Sequence, residues 1–253
     1  MIFGMRRNWK RFAFDAAAVL FWIALWHVGA SLANRSLLLK IPLPSDTLLT
    51  FLRLCGEGRF WRSVGSSVGH ILCGFLSAAA LGTMGGIASA ASGWFRRLSA
   101  PLLRLIRTVP VAAFILLAWL WIPSRVLPSF VSALMVLPIV WSHVDAGLAS
   151  VDERLPEMAR VFGMGRRRVL TNVRLPLMAP TIRTGCLTGV GIAWKAGIAA
   201  EVICNPTGSI GALLQGAKVA IDYERVFAVT LMVVLLSLLF ENALKLVWKE
   251  QKR

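Results

Sequence analysis

The sequence predicts an all-α protein, a polytopic transmembrane helix bundle of about six spans. Of its 253 residues, 57% are hydrophobic and only 16% are charged, which is more apolar than a soluble domain of this length. Several apolar runs reach the ~18–20 residues that cross a bilayer. The formal net charge of +16 comes from Lys and Arg beside those runs, where anionic lipid and the positive-inside rule explain it without nucleic acid. We therefore expect one transmembrane domain over residues 1–253, with membrane lipid as a partner.

The first apolar run covers about residues 12–33 and follows a basic stretch that holds Arg6, Arg7, Lys10 and Arg11. This run is longer than the ~7–15-residue apolar core of a secretory signal peptide. We predict a retained first span, and a cleavable leader that ends near Ala33 is the alternative.

Residues 34–62 are too charged to cross a membrane. Pro42 and Pro44 predict a turn, and Ser45 or Asp46 is expected to cap a short helix. The partly apolar composition of that helix predicts that it lies on the outer membrane surface.

The second span is predicted over about residues 64–90, where many small residues let helices approach closely. His70 lies inside this run. It is either a hydrogen-bonded core histidine or a residue of a solute pathway.

The third span is predicted to begin with Ser99 as N-cap and Pro101 in the first turn, and to end near Ile122. Pro110 predicts a kink within it. The fourth span is predicted over about residues 126–149, with a second kink at Pro138.

Asp145 stands near the inner end of that fourth span, close to an arginine-rich segment. We expect it to be an ion-pair partner and not a proton carrier.

A polar and basic segment, the central loop of about residues 150–183, separates the fourth span from the fifth. Its charges and backbone groups exclude it from hydrocarbon. Met158, Val161 and Phe162 recur at i, i+3 and i+4, which predicts one face of a short helix. Gly163 is expected to end that helix.

Two signals compete for the start of this short helix. Ser150 and Glu153 have the spacing of a capping box. Pro156 would clash with the carbonyl of Asp152 if a helix ran through it, so we prefer Pro156 as the first helical residue.

The fifth span, about residues 184–204, contains Lys195 and Glu201. Charged side chains in a span normally face a bundle interior or a polar path, and this pair is spaced so that the two lie on different helix faces. Lys195 is either a pathway or subunit-contact residue, or a snorkelling or ion-paired structural lysine. An amphipathic stretch over 210–220 and a last span over 226–247 complete the chain.

The distribution of positive charge predicts the orientation. With six spans, 19 of the 28 Lys and Arg fall on the side that holds both termini and the central loop, and 8 on the other side. The positive-inside rule then predicts cytoplasmic termini and a cytoplasmic central loop.

The residue patterns that carry enzyme chemistry do not occur in this sequence. It has no GxxxxGK[ST] phosphate-binding loop, and its four Cys and three His show no metal-ligand spacing. We predict no catalytic residue, no metal site and no cofactor bound by this chain.

The central loop resembles the EAA loop of ABC-transporter permeases. That family pattern is Glu-Ala-Ala, three residues, Gly, nine residues, Ile, one residue, Leu-Pro. Five positions match this pattern at the right spacing: Glu157, Ala159, Gly163, Leu175 and Pro176. Met158 replaces the first Ala, and Val173 replaces the Ile. The segments PLLRLIRTVP and AWKAGIAAE are also similar to the nitrate/sulfonate/taurine-type permeases, which often carry a Glu where Glu201 stands.

This resemblance implies the architecture of a type I ABC importer permease, with a core over about residues 60–245 and an extra N-terminal span. It implies a bacterial cytoplasmic-membrane location and a second permease copy in a homodimer. It also implies ABC ATPase subunits, which bind ATP and Mg²⁺, and an extracytoplasmic substrate-binding protein that delivers a small anion or vitamin precursor. The implied ATPase-coupling residues are Glu157, Met158, Ala159, Val161, Phe162, Gly163, Leu175 and Pro176. The candidate pathway residues are Lys195, Glu201 and His70.

Two rival functions remain at this stage. An ion-coupled secondary transporter would use Lys195 and Glu201 as coupling groups, but the sequence shows no internal repeat or paired broken helices. A membrane-embedded enzyme would need a catalytic constellation that the sequence lacks.

Overall fold

The computed structural model describes residues 2–35, 40–152 and 154–250. The secondary structure in these residues is helical: α1 Ile2–Ala33, α2 Pro44–Cys55, α3 Gly58–Ala91, α4 Gly93–Thr108, α5 Val111–Trp119, α6 Leu127–Ala149, α7 Arg154–Val161, α8 Arg166–Val169, a π-helical turn Leu170–Arg174, α9 Leu175–Cys204, α10 Ile210–Val219 and α11 Tyr223–Glu250. Five stretches are long and apolar enough to cross a bilayer, and α4 with α5 makes a sixth if this bent pair is one span. The prediction of an all-α bundle with about six spans is confirmed.

The contacts divide the chain into two compact units. The first unit takes residues up to Gly58 together with Gly216–Met232. Within it, Trp26 stacks on Phe227 with ring centroids 5.7 Å apart, and Thr50 Oγ1 donates to Glu224 Oε2 at 3.2 Å. The single domain over residues 1–253 stays a prediction.

The second unit takes Arg59–Gln215 and the residues from Val233 onward. Its centre is the contact of α6 with α9, where glycines allow a close approach. A Cβ at Gly185 would meet the Cβ of His143 at 2.7 Å, and one at Gly147 would meet the Cβ of Met178 at 3.2 Å. Ser132 Oγ adds a buried hydrogen bond to the carbonyl of Ala193 at 3.1 Å.

Two predicted helix starts are wrong. The N-cap of α2 is Leu43, with Pro44 at the first helical position and no side-chain cap, because proline's fixed φ already suits that position. The N-cap of α4 is Ser92, whose Oγ accepts from the backbone N–H of Phe95 at 3.4 Å. Ser99 lies inside that helix and donates its hydroxyl to the carbonyl of Phe95 at 2.8 Å.

The third span was predicted to be one kinked helix from residue 99 to 122, and this prediction is wrong. The chain breaks at Val109 and Pro110, and α4 and α5 are bent by 102°. Val109 has extended backbone angles, φ −71° and ψ 128°, as sterically required of a residue that precedes proline. By contrast α6 runs through Pro138 as a single helix.

Helix α7 within the central loop and helix α9 at its end both start earlier than predicted. The short helix α7 begins at Arg154 and not at Pro156, because proline is tolerated throughout a first turn. The helix that contains the predicted fifth span, α9, starts at Leu175, nine residues before residue 184. Glu153 of the alternative capping box lies outside the described residues.

Glycine contacts in α3 give a stability prediction. A Cβ at Gly74 would lie 2.8 Å from Ser132 Cβ and 3.1 Å from the backbone N of Ala133, and it would also meet the carbonyl of Ser129, whereas one at Gly69 would meet no atom within 4 Å. We expect Gly74→Ala to lower stability by about 1–3 kcal/mol through overpacking. Gly69→Ala should be neutral or slightly stabilising. Thermal unfolding of both purified variants in one detergent tests this, and equal melting temperatures would contradict it.

Candidate functional site

The central loop presents an apolar surface that its own chain leaves uncovered. Val161 and Phe162 are 85% and 82% exposed, and Leu155 and Met158 on the same side of α7 are also exposed. A cluster of this kind on a polar, non-membrane segment is typical of a protein-interaction surface. We call these four side chains the α7 surface.

Local hydrogen bonds give α7 defined ends. Asp152 Oδ1 accepts from the backbone N–H of Arg154 at 3.0 Å at the start of the helix. At the other end Gly163 has φ +79°, a left-handed conformation that disfavours any side chain. The amide of Gly163 donates to the carbonyl of Arg160 at 2.9 Å. The predicted helix-ending role of Gly163 is confirmed.

The central loop has a buried side as well as the exposed α7 surface. Pro156 of α7 and Val169 of α8 are buried, whereas the four side chains of the α7 surface are exposed. The π-helical turn leads directly into α9, where the backbone N–H of Leu175 donates to the carbonyl of Leu170.

The other motif residues lie on α7 and at the start of α9. Glu157 is exposed on the first turn of α7, near the positive end of the helix dipole, and Ala159 is half-buried. Leu175 is half-buried and Pro176 exposed at the start of α9. The motif thus combines an outward-facing helix with the junction that joins it to a membrane-crossing helix.

A second site, which is polar, lies among the membrane-crossing helices around Glu201. Its carboxylate is fully buried. Oε2 accepts from Ser67 Oγ at 2.6 Å and from the backbone N–H of Gly211 at 3.1 Å, and Oε1 lies 3.4 Å from Nδ1 of His70. Ser67 Oγ in turn accepts from the backbone N–H of Ile210 at 2.8 Å. One carboxylate therefore links α3, α9 and the start of α10.

The three candidate pathway residues do not form one cluster. His70 joins Glu201, but Lys195 is exposed on α9 and lies on another face, as the spacing predicted. Because Glu201 is enclosed by its partners, the geometry makes it a structural link in this conformation, whereas Lys195 presents its charge to the surroundings of the chain.

Sequence reasoning did not single out Ser67 and Gly211. Ser67 precedes His70 by three residues, so the two share a helix face, and that spacing was a usable signal. Gly211 carried no signal, because only the fold shows that a Cβ there would collide with Glu201. In the described part of the chain no group of three His, Cys, Asp or Glu side chains is arranged to hold a metal ion.

These features define a class of protein: a multi-pass membrane protein with a structured polar loop between two of its long apolar helices and a polar network among those helices. The sequence matches the family model described as binding-protein-dependent transport system inner membrane component over residues 82–252. The chain belongs to this family of ABC importer permeases, as its EAA-like motif predicted.

Individual relatives agree with that assignment. The chain is 31% identical over 207 residues to the putative aliphatic sulfonates transport permease protein SsuC of Bacillus subtilis (strain 168), covering 81% of this chain and 74% of that protein. It is 28% identical over 232 residues to the taurine transport system permease protein TauC of Escherichia coli (strain K12), covering 88% and 82%. It is 25% identical over 238 residues to the riboflavin transport system permease protein RibX of Chloroflexus aurantiacus, covering 92% and 88%.

The fold is similar to that of a solved structure described as an amino acid ABC transporter with histidines. The TM-score is 0.61 with 16% sequence identity, over 81% of this chain and 97% of the other. This chain is thus a multi-pass inner-membrane transport permease. An ion-coupled secondary transporter is not favoured.

The Glu201 network gives a second testable expectation. Glu201→Ala would leave Ser67 Oγ and the Gly211 amide without their buried acceptor, at a cost of about 2–4 kcal/mol. We expect a lower melting temperature and a smaller yield of folded protein. Glu241→Ala is the control, because its carboxylate is partly exposed and its ion pair with Lys245 is long, at 3.8 Å. Equal effects of the two substitutions would refute the proposed importance of this network.

Proposed function

We propose that this chain is the permease subunit of an ATP-driven importer in which separate ABC ATPase subunits dock on the α7 surface. The exposed Val161 and Phe162 side chains support this assignment most directly, because no residue that the structure describes covers them. Large apolar side chains at the centre of an interface often dominate its binding energy. ATP and Mg²⁺ then belong to the partner, and this chain needs no cofactor.

The attachment of α7 suggests how the ATPase drives transport. The loop that carries α7 joins α6 to α9, and these helices pack closely at Gly147 and Met178. A displacement of α7 therefore reaches both helices at once. We propose that closure of the ATPase pair moves α7 and rocks the spans between inward-open and outward-open states.

We propose a topology with both termini and the central loop in the cytoplasm, where the ATPase has access to α7. The excess of Lys and Arg on that side supports this orientation. A second permease copy completes the translocation pathway, and an external binding protein delivers the solute. This arrangement is the usual one for importers that depend on a binding protein.

We propose a small organic anion as the solute, with Lys195 as a pathway residue. Two of the relatives are named for taurine and aliphatic sulfonates. A third relative is named for riboflavin, so a vitamin-type solute is the second candidate. Lys195 makes no hydrogen bond or ion pair with the residues that the structure describes, and it lies in an apolar helix. A cation there is costly unless it meets water, protein or an anion.

Disrupting the α7 surface should uncouple the ATPase. Phe162→Asp adds a charge at the exposed apolar face, and we expect at least a tenfold loss of co-purified ATPase with the permease still folded. Val219→Asp, at an equally exposed apolar side chain in α10 (74%), is the control. Quantitative co-purification and melting curves test this. Normal amounts of active ATPase on the Phe162→Asp permease would contradict the docking role.

The charge of Lys195 should govern solute uptake. In proteoliposomes that hold the permease, its ATPase and its binding protein, we expect Lys195→Ala to lower taurine or ethanesulfonate uptake at least tenfold. Lys195→Arg should stay within about threefold, because it keeps the charge. Lys218→Ala serves as the control. Unchanged uptake by Lys195→Ala, with normal ATPase binding, would remove Lys195 from the pathway and leave the ATPase docking proposal intact.

A further inference from the structure

Helix α4 carries two pairs of arginines with different environments. Arg96 and Arg107 face α6. The guanidinium of Arg96 donates to Asp145 Oδ1 at 2.7 Å, which confirms Asp145 as an ion-pair partner. The guanidinium of Arg107 donates to the carbonyl of Pro138 at 2.6 Å and also contacts Ser142 Oγ. These two side chains are satisfied by their own protein.

Arg97 and Arg104 form the second pair and point away from α6. They are exposed and seven positions apart, so they lie on one side of the helix about 10 Å from each other along its axis. Neither makes a hydrogen bond or an ion pair with any residue that the structure describes. Between them runs a shallow groove of about 560 Å³ lined by Arg97, Ala100, Pro101, Arg104, Leu105 and Thr108.

An apolar stripe adjoins this arginine pair on α4. Trp94, Leu98, Leu102 and Leu105 recur at helical spacing and are all more than half exposed, Trp94 at 72%. Cations beside such a stripe match a helix that lies in the membrane interface, with its apolar side toward the acyl chains. The axes of α4 and the apolar α5 are bent by 102°. If α5 enters the membrane, α4 therefore lies roughly along the membrane surface.

We propose that the Arg97–Arg104 groove binds the phosphate headgroup of an anionic phospholipid. The two guanidiniums are free to donate to one phosphate in a forked geometry, and Pro101 and Leu105 offer apolar contact to the glycerol and upper acyl chain. The charge of the groove complements an anionic headgroup, and the adjoining stripe supplies the hydrophobic contact that a lipid needs. The site holds α4 at the membrane surface, and it does not depend on which solute is transported.

Native mass spectrometry of the purified chain with dioleoylphosphatidylglycerol or dioleoylphosphatidylcholine tests this site. We expect the wild type to prefer phosphatidylglycerol. The double variant R97Q/R104Q should weaken that binding at least tenfold, since each basic residue near a headgroup contributes about 1 kcal/mol. R97K/R104K should recover part of it. R59Q/R62Q, which removes two exposed arginines from the start of α3, should bind like the wild type.

Several results would overturn the proposal. One is equal phosphatidylglycerol affinity for R97Q/R104Q and wild type. Another is an equal loss in R59Q/R62Q, which would mean attraction by net charge alone. Displacement of the lipid by equimolar glycerol 1-phosphate would indicate a soluble anion site. Loss of a second permease copy or of the ATPase from the R97Q/R104Q complex, with lipid binding unchanged, would mean that a protein covers this face. Melting curves and the single variants R97Q and R104Q show whether the double variant is folded.

Discussion

The close packing of α6 against α9 is the contact on which the second unit depends. Helices in a bilayer gain little from hydrophobic burial, because lipid tails are as apolar as the side chains, so their association relies on close van der Waals contact. Gly185 and Gly147 provide that contact, and larger side chains there would collide with His143 and Met178. The central loop connects the same two helices. Their packing therefore stabilises the unit, and α7 lies in the segment that joins these two helices.

Charged side chains of the membrane-crossing helices and of α4 divide into those with partners in the chain and those without. Glu201 is fully buried and has three partners, which is how a carboxylate is tolerated at low dielectric. Lys195 has no partner among the described residues, and neither do Arg97 and Arg104 on α4. Cations left open in this way are available to ligands from outside the chain, and we propose a solute anion at Lys195 and a lipid phosphate on α4.

Much of the fold followed from the sequence, because apolar runs and charge placement are local signals. The i, i+3, i+4 pattern of Met158, Val161 and Phe162 predicted α7 and its exposed face for the same reason. The break at Pro110 was underestimated, since a proline signal does not state whether a helix bends or stops. The partners of Glu201 were missed because Ser67 lies 134 residues away in sequence, and only tertiary packing brings the two together.

We propose that the α7 surface is a cytoplasmic docking site for a separate ATPase. Side-specific labelling of a single cysteine at Val161→Cys, with Cys55, Cys73, Cys186 and Cys204 replaced by Ser or Ala, tests it most directly. A membrane-impermeant maleimide should label this position in inside-out vesicles and not in right-side-out vesicles, and added ATPase subunits should protect it. Labelling from the outer side would contradict a cytoplasmic α7 surface. Full labelling in the presence of saturating ATPase would contradict ATPase docking on that surface.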